Sequence, residues 1–521
     1  MNTNENVIMT TIKASARHSH SSAVTPAPAP AFIFRGHDAP IHAIEFFASN
    51  TFLATGDETG WICIWDIWRR RQVHKWRGHP SSSVLALKAV PFTIASDSAT
   101  APAGASPSAE SSRPSRHARS TALQEWAYII SHGRDNEIHV WDINDILHKS
   151  LGRSSASVAG TMAAGNNQNQ VPVFSLPVNA LNFCKMAVLP IVTAPQARQD
   201  PASAPQTGSA ALSRTHQHIY IAVPSPTTPA LVDIYDIVKP ERTFASVGNQ
   251  TEVGSAPTSP GTDEKLGSVM AIQLFQRQIE SLTNPPSSLQ MLVAYEGGSV
   301  VLLQESSTAA SLQLPIGGSK KKRSMNILWA IKCHREPVLA LAVSPDLQYA
   351  VSCGSDNVLV RYYLSEQVQG VPEVTRLPLK TNGIADVKIR DDGKIIALAG
   401  WDGRIRVFSA KTLQPLAVLK YHREGLYCLT FASVIIQRAE SSDNDPAEHD
   451  RGMGHIDDAE IEEEVVVEEN QQKSRGESDD DDDDDDGSDT EDVLKSRNNW
   501  SKRHWIVAGG KENRISLWEL Y

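Results

Sequence analysis

The stretch GRDNEIHVWDI, residues 133–143, joins a polar turn to an alternating segment that ends on Trp-Asp. A tight turn followed by residues that alternate with period two predicts a β-strand. Similar stretches recur along the chain as GDETGWICIWDI, GSDNVLVRYYL, GWDGRIRVFSA and GKENRISLWEL, from Gly56, Gly354, Gly400 and Gly510. The chain is therefore built from an internal repeat.

A second pattern, a turn followed by an apolar strand, also recurs. It occurs as GHDAPIHAIEF, GHPSSSVLALKAV, LPVNALNF, CHREPVLALAV and YHREGLYCLTF, from Gly36, Gly78, Leu176, Cys333 and Tyr421, with weaker copies from Gly267 and Ile384. The two patterns together resemble the WD40 repeat, whose four strands form one propeller blade. Seven starts predict an all-β fold, a seven-bladed WD40 propeller over residues 31–521, behind a disordered tail of residues 1–30.

Low-complexity inserts lengthen most of the later repeats. They cover residues 96–121, 154–170, 194–213 and 246–261, and an acidic insert covers residues 439–500 of the last blade. Loops tolerate such insertions because loop-closure entropy rises slowly with length. The acidic insert holds 25 of the 60 acidic side chains and 5 of the 49 basic ones, so the remainder of the chain is mildly basic. We predict that all these inserts are disordered.

The last repeat is one strand short of a full blade. The chain ends soon after GKENRISLWEL, which leaves the outer edge of that strand without a partner from the same repeat. Open sheet edges need a cover. The segment AFIFR, residues 31–35, precedes the first repeat, and we predict that it supplies the missing strand and closes the ring.

Polar residues also recur in the repeats. In WD40 repeats a His, a Ser or Thr, an Asp and a Trp form a buried hydrogen-bonded chain. The resemblance assigns His79, Ser131, Asp135 and Trp141 in blade two, His334, Ser352, Asp356 and Tyr362 in blade five, and His37, Thr55 and Trp65 in blade one, with Thr59 near the Asp position. In blade seven it assigns His422, Glu512 and Trp518, with Ala508 at the Ser position.

These residues look like a hydrolase triad, but a catalytic site does not recur blade after blade. No HExxH, GxSxG, P-loop or Rossmann glycine pattern stands in a matching context. The five Cys lack CxxC spacing, which argues against a disulfide framework or a zinc site. We therefore expect no catalytic residue, no cofactor and no metal.

Without an apolar run that could be a signal peptide or a membrane span, we expect an intracellular protein with no membrane partner.

Five stretches carry a more specific resemblance. They are FRGHDAPIHAIEFF, TGDETGWICIWDI, RDNEIHVWDI, LPVNALNFC and the terminal WIVAGGKENRISLWELY. Together they resemble the fungal ASTRA-associated protein 1 family over all seven blades. The resemblance implies a non-catalytic scaffold subunit of the nuclear ASTRA complex, which serves chromatin remodelling or the assembly of phosphatidylinositol-3-kinase-related kinases. The implied partners are the large pseudokinase, the triple-T cochaperone subunits and the RuvB-like ATPases, without direct sequence-specific nucleic-acid binding.

Two other functions stay open. A substrate receptor of a cullin ubiquitin ligase is one, although its signature needs Arg two residues after Trp-Asp, where this chain has Trp68 and Asn144. A histone-tail or phosphopeptide reader is the other, and it would need a charged or aromatic cage at the mouth of the ring.

Two charged segments have no place in the repeat. The basic run Lys320, Lys321, Lys322 and Arg323 is either a nuclear-import signal or a solvated loop. Ser478 and Ser488 are followed by acidic residues, a context that suits an acidophilic kinase, and the acidic insert is either a contact for a basic partner or a solvating segment.

Overall fold

The seven-bladed β-propeller is confirmed by a computed structural model that describes residues 28–91, 127–144, 146–147, 170–180, 182–192, 216–248, 266–278, 287–306, 323–364, 372–434, 500 and 503–520. Within these ranges every sheet has four antiparallel strands, and the sheets stand around a common axis. In blades one to six the strands follow in sequence order from the axis outwards.

The strand bounds follow the repeat. Blade one contains β2 (Ile41–Phe47), β3 (Phe52–Asp57), β4 (Trp61–Asp66) and β5 (Arg71–Arg77). Blade two contains β6 (Val84–Pro91), β7 (Ala127–Gly133), β8 (Glu137–Asp142) and β9 (Phe174–Pro177). Blade three contains β10 (Ala187–Val192), β11 (His216–Pro224), β12 (Val232–Asp236) and β13 (Glu241–Val247). Blade four contains β14 (Val269–Gln278), β15 (Ser287–Tyr295), β16 (Ser299–Glu305) and β17 (Met325–Lys332).

The remaining blades complete the ring. Blade five contains β18 (Val338–Val343), β19 (Tyr349–Gly354), β20 (Val358–Tyr363) and β21 (Val374–Pro378). Blade six contains β22 (Ile384–Ile389), β23 (Ile395–Gly400), β24 (Arg404–Ser409) and β25 (Pro415–Lys420). Blade seven contains β26 (Leu426–Phe431), β27 (Trp505–Gly510), β28 (Arg514–Glu519) and, from the start of the chain, β1 (Phe32–Arg35).

Strand β1 closes the ring, as the sequence predicts. It pairs antiparallel with β28, so that Phe32 lies opposite Leu517 and Phe34 opposite Ile515. The Phe34 side chain is buried beside Trp65 of blade one, with 5.4 Å between the ring centres. The edge that the last repeat leaves open is therefore covered by the first strand of the chain.

The middle strands are apolar on both faces because each blade is covered on both sides by a neighbouring blade. Every residue of β23 and β27 is buried. Between blades seven and one, Phe34, Trp65 and Trp505 belong to one core cluster. Burial on both faces explains why these strands are almost continuously apolar instead of alternating.

The inner strand of blade three begins later than the sequence predicts. In LPVNALNF, Leu176 and Pro177 end the outer strand β9, and β10 begins only at Ala187. The intervening stretch is held by side-chain amides: Asn179 donates to the carbonyl of Ser225 at 2.8 Å, and Asn182 donates to the carbonyl of Val269. These bonds tie the stretch to the loop after β11 and to the start of β14, and take the place of a ladder.

The predicted tail and inserts fall mainly outside the described residues, but some of their ends are visible. Ser246 lies in β13, so the insert predicted from that residue begins after the strand. The Gln170 amide donates to the carbonyl of Asp142 at 2.7 Å. Trp500, at the end of the acidic insert, stacks on Trp505 with 4.7 Å between ring centres. Among the described residues, no helix has the length and apolarity needed to cross a membrane.

Candidate functional site

The hydrogen-bonded chain of blade two is assembled as the repeat predicts. Nδ1 of His79 lies 3.0 Å from both carboxylate oxygens of Asp135, and its Nε2 lies 2.8 Å from Oγ of Ser131. The Trp141 indole donates to the same hydroxyl at 2.8 Å. Burial raises the pKa of Asp135, but the hydrogen bond and charge of His79 outweigh burial and lower it. The four side chains satisfy one another across the sheet.

Blade five forms the same chain with Tyr362 in place of Trp. His334 lies 3.0 Å from Asp356 and 2.7 Å from Oγ of Ser352. The Tyr362 hydroxyl lies 2.9 Å from the same Ser352 oxygen. Burial lowers the pKa of His334 although Asp356 opposes that shift, so the ring is neutral at pH 7.

Blade one corrects the expectation for Thr59. Its acidic residue is Asp57, whose Oδ2 lies 2.7 Å from Nδ1 of His37, while Nε2 of His37 lies 2.7 Å from the Thr55 hydroxyl. Trp65 donates to that hydroxyl at 2.8 Å. Thr59 donates to Asp57 through its backbone N–H and its hydroxyl, each at 2.9 Å. In blade one the acidic residue follows the hydroxyl residue by two positions, whereas in blades two and five it follows by four. An expectation of the same spacing in every blade therefore pointed to Thr59 instead of Asp57.

Each of these hydroxyls is bonded to two side chains, and each histidine uses both ring nitrogens. His79, Asp135 and His139 also bring potential metal-ligand atoms within 4.8 Å of one another. However, His79 and Asp135 bond to each other, and Nδ1 of His139 lies 2.8 Å from the Ser175 hydroxyl. A metal ion would have to break those bonds, and the arrangement favours a structural role.

A different set of side chains meets at the mouth of the ring. A cavity of about 850 Å³ opens there, and it continues into a narrower channel of about 320 Å³ along the axis. The wall of the cavity includes one residue from the inner edge of each blade: His42, Leu85, Lys185, Met270, Leu339, Ala385 and Tyr427. All except Lys185 are the second residue of an inner strand.

The same irregularity in strand pairing recurs in six inner strands and orients these side chains. In each of the six inner strands that contribute a second residue, the register of pairing shifts between the first and third residues. Such a bulge leaves the extra residue unpaired and turns its side chain away from the sheet. The wall of the mouth is therefore a built-in feature of the repeat, whereas its chemistry depends on which residue stands at that position.

Two aromatic side chains stand at the rim of the mouth. Trp401, in the turn between β23 and β24, is 47% exposed, and Phe183 is 59% exposed. The backbone N–H of Trp401 donates to the carbonyl of Gly383 at 2.9 Å. The guanidinium of Arg134 lies 4.5 Å from the centre of the Phe183 ring, a cation–π contact.

The neck between cavity and channel holds two lysines around one acid. Nζ of Lys185 lies 3.1 Å from Oδ2 of Asp386, and Nζ of Lys388 lies 3.3 Å from Oδ1. Burial raises the pKa of Asp386, but the two ammonium groups outweigh it and keep the carboxyl ionised. His42 stacks on Tyr427 at 4.9 Å, and burial together with Lys185 lowers the pKa of His42 to about 4. The neck therefore carries two positive charges and one negative charge at pH 7.

The remaining sequence-predicted residues lie elsewhere. Arg323 lies between blades three and four, where it bonds to Glu305 at 2.8 Å and to the Tyr220 hydroxyl at 3.1 Å. Lys320, Lys321, Lys322, Ser478 and Ser488 lie outside the described residues.

The sequence analysis did not predict the site at the mouth, because ring closure brings together residues that are far apart along the chain, such as Phe183 and Trp401. The second position of each inner strand was the available signal.

Comparison with known proteins gives a consistent assignment. The family model described as ASTRA-associated protein 1 matches residues 30–515. The protein of that name from Aspergillus niger is 30% identical over 517 residues, which cover 95% of this chain and 98% of the relative. The Schizosaccharomyces pombe protein of that name is 24% identical, covering 78% of this chain and 93% of the relative.

A mouse protein also aligns along most of the chain. It is named guanine nucleotide-binding protein subunit beta-like protein 1, and it is 25% identical over 80% of this chain and 94% of its own length. The match of the family model spans every blade of the ring described above. The chain belongs to the ASTRA-associated protein 1 family, as its motifs predict.

Proposed function

We propose that this protein is a non-catalytic scaffold subunit of the nuclear ASTRA complex. The observation that carries the proposal is family membership over residues 30–515, because the name of the relatives states an association with ASTRA. The ring supports a binding role, since a propeller presents two faces and a rim to several partners. The His, Ser and Asp side chains that could suggest hydrolysis are bonded to one another inside the blades.

The partners that we propose are the large pseudokinase, the triple-T cochaperone subunits and the RuvB-like ATPases. The process served is chromatin remodelling, the assembly of phosphatidylinositol-3-kinase-related kinases, or both. Affinity purification of the tagged full-length protein from nuclear extract tests the proposal, with an untagged strain as the control. The three groups of subunits should be recovered together.

The same purification decides the ligase alternative. Recovery of a cullin and its adaptor, without the pseudokinase, would replace the scaffold proposal by a substrate-receptor function. The residues at the receptor-signature positions argue against that outcome. Trp68 and Asn144 stand where Arg is needed, and the Asn144 side chain donates to Asp142 at 2.7 Å.

Nuclear localisation is part of the proposal and has its own test. The segment Lys320–Lys322 would act as the import signal together with Arg323, whose guanidinium is already paired with Glu305. Replacing the three lysines by alanine in a fluorescent fusion should shift the protein to the cytoplasm. Arg323→Ala is the matched control, and it should have the smaller effect on localisation because that side chain is held against the ring.

A further inference from the structure

We propose that the mouth of the ring binds a peptide segment of a partner chain that presents a carboxylate next to a large apolar side chain. The proposal deepens the scaffold function and rests on it. It is carried by two features of the mouth, an apolar rim and a neck with an excess of positive charge. Neither feature is explained by the stability of the ring.

The rim offers an apolar surface to a ligand. Trp401 and Phe183 are two of the few large apolar side chains among the described residues that are exposed, and both border the same cavity. Below them, Leu85, Met270 and Leu339 line the wall. Concave apolar surface with a few polar groups at its base is typical of binding sites.

The indole of Trp401 is held in a fixed position by a glycine. Gly383 has a φ of +78°, and a Cβ at that residue would lie 2.1 Å from Cε3 of Trp401. The indole therefore rests directly on the backbone of the neighbouring turn, which only glycine permits. A side chain that is already ordered loses little conformational entropy when a ligand covers it.

The charges of the neck depart from the pattern of the repeat. The third residue of most inner strands is small, as Ala43, Ala86, Ala271 and Ala340, but in blade six it is Asp386. Two ammonium groups share this one carboxylate, and Lys185 also donates to the carbonyl of Tyr427 at 3.4 Å. The side chains of Lys185 and Lys388 are 35% and 36% exposed; Lys185 lines both the cavity and the channel, and Lys388 lines the channel.

The other charged groups of the mouth largely cancel. Lys511 pairs with Glu424 at the rim at 2.8 Å, and Lys88 pairs with Glu45 in the channel. Glu58 stands at the exposed rim, where solvent screens its charge. An anion at the neck would offset the excess positive charge of Lys185 and Lys388, whereas a cation would be repelled. The excess positive charge at the neck favours binding of an acidic segment over binding of a basic histone tail.

The test uses the purified full-length protein and a displayed library of random heptapeptides. Selection on the wild type, after depletion on the double variant Trp401→Ala/Phe183→Ala, should enrich peptides with Asp or Glu beside Phe, Leu, Met or Trp. One enriched peptide is then synthesised with Glu, Gln, Lys or phosphoserine at the acidic position. The Gln form should bind about tenfold more weakly than the Glu form, and the Lys form more weakly still.

Three single variants locate the binding. Trp401→Ala should weaken the Glu peptide about tenfold, and Gly383→Ala should weaken it as well because the added methyl displaces the indole. Lys185→Met should remove most of the preference for Glu over Gln while Lys388 still pairs with Asp386. Leu416→Ala, on the outer strand β25 with 57% exposure, is the matched control and should change nothing. Melting curves verify that each variant is folded.

Four results would overturn the inference: no enrichment, enrichment of basic peptides, equal binding to the double variant, or binding of the phosphoserine peptide alone. The last would identify a phosphopeptide reader. These results are distinguishable from a failure of the scaffold proposal. If the ASTRA subunits still copurify with the wild type while the library yields nothing, the scaffold function stands without a peptide site at the mouth.

Discussion

The hydroxyl of Ser516 lies 2.9 Å from Nε2 of His422, in the role that Ser131 plays in blade two. Ser516 is on the third strand of blade seven, directly opposite Ala508 on the second strand. His422 is therefore satisfied on both sides, since its Nδ1 lies 3.2 Å from Glu512. The Trp518 indole N–H, in contrast, is buried and has no hydrogen-bond partner among the described residues.

This relationship predicts the effects of two substitutions in blade seven. Ser516→Ala should lower the free energy of unfolding by about 1–3 kcal/mol, because it leaves Nε2 of the buried His422 unpaired. Ala508→Ser should raise the free energy of unfolding by about 1 kcal/mol, because it offers Trp518 the acceptor that Ser131 offers Trp141. Urea denaturation measures both changes. A destabilising Ala508→Ser substitution would contradict the account of the missing acceptor.

Ring closure predicts a sharp boundary in N-terminal truncations. Removing residues 1–28 should leave the melting temperature nearly unchanged, because β1 remains. Removing residues 1–35 should unfold or aggregate the protein, since it deletes β1 with the buried Phe34 and exposes the edge of β28. Thermal melts of the two proteins check this. Equal behaviour would show that β1 does not hold the ring closed.

Acid sensitivity follows from the buried His132 and the half-buried His42. Burial lowers the pKa of His132 to about 3, and burial with Lys185 lowers that of His42 to about 4. In the unfolded chain both take up a proton near pH 6.5. Below that pH the unfolded state binds more protons than the folded state, so stability falls as the pH falls from about 6.5 towards these values.

His132→Leu should reduce this sensitivity. Between pH 7 and pH 5 the wild type should lose about 2 kcal/mol of stability through His132 alone, and the variant should not. At pH 7 the variant should be at least as stable as the wild type, because neither ring nitrogen of His132 has a hydrogen-bond partner among the described residues. Denaturation curves at both pH values measure the difference. An unchanged pH dependence in His132→Leu would refute the assignment.

Replacement of the acidic insert should preserve the ring if Trp500 is kept. A Gly/Ser linker in place of residues 439–499 joins β26 to β27 at small cost, because loop length affects stability weakly. Extending the replacement through residue 500 should cost a further 0.5–1.5 kcal/mol or so, because Trp500 stacks on Trp505 and lies 4.9 Å from the Arg70 guanidinium. Melting temperatures of the two linker proteins test the difference, and identical values would contradict a packing role for Trp500.

The fold was accessible from the sequence because its signals are local and repeated. The Gly-His and Trp-Asp patterns marked the blades, and the incomplete last repeat indicated that residues 31–35 close the ring. The sequence-based predictions were wrong at positions where contacts between distant parts of the chain determine the local structure. Asp57 reaches His37 from a position that spacing did not predict, and side-chain bonds of Asn179 and Asn182 keep LPVNALNF out of the inner strand.

The charge pair at the mouth could not be predicted from local patterns, which mark only the second position of most inner strands. Lys185 and Asp386 are 201 residues apart, and they meet because blades three and six face each other across the axis. Sequence periodicity reports which side of a strand is buried, whereas the bulge that turns His42 or Tyr427 towards the axis is a property of strand pairing. The composition of the mouth therefore requires the assembled ring.

The proposed scaffold function requires this chain to hold the other subunits together. The most direct measurement is purification of the complex through the large pseudokinase from cells depleted of this protein. We predict that recovery of the triple-T subunits and the RuvB-like ATPases with the pseudokinase falls, and that re-expression of the wild-type chain restores it. Unchanged recovery of those subunits in depleted cells would contradict the scaffold function.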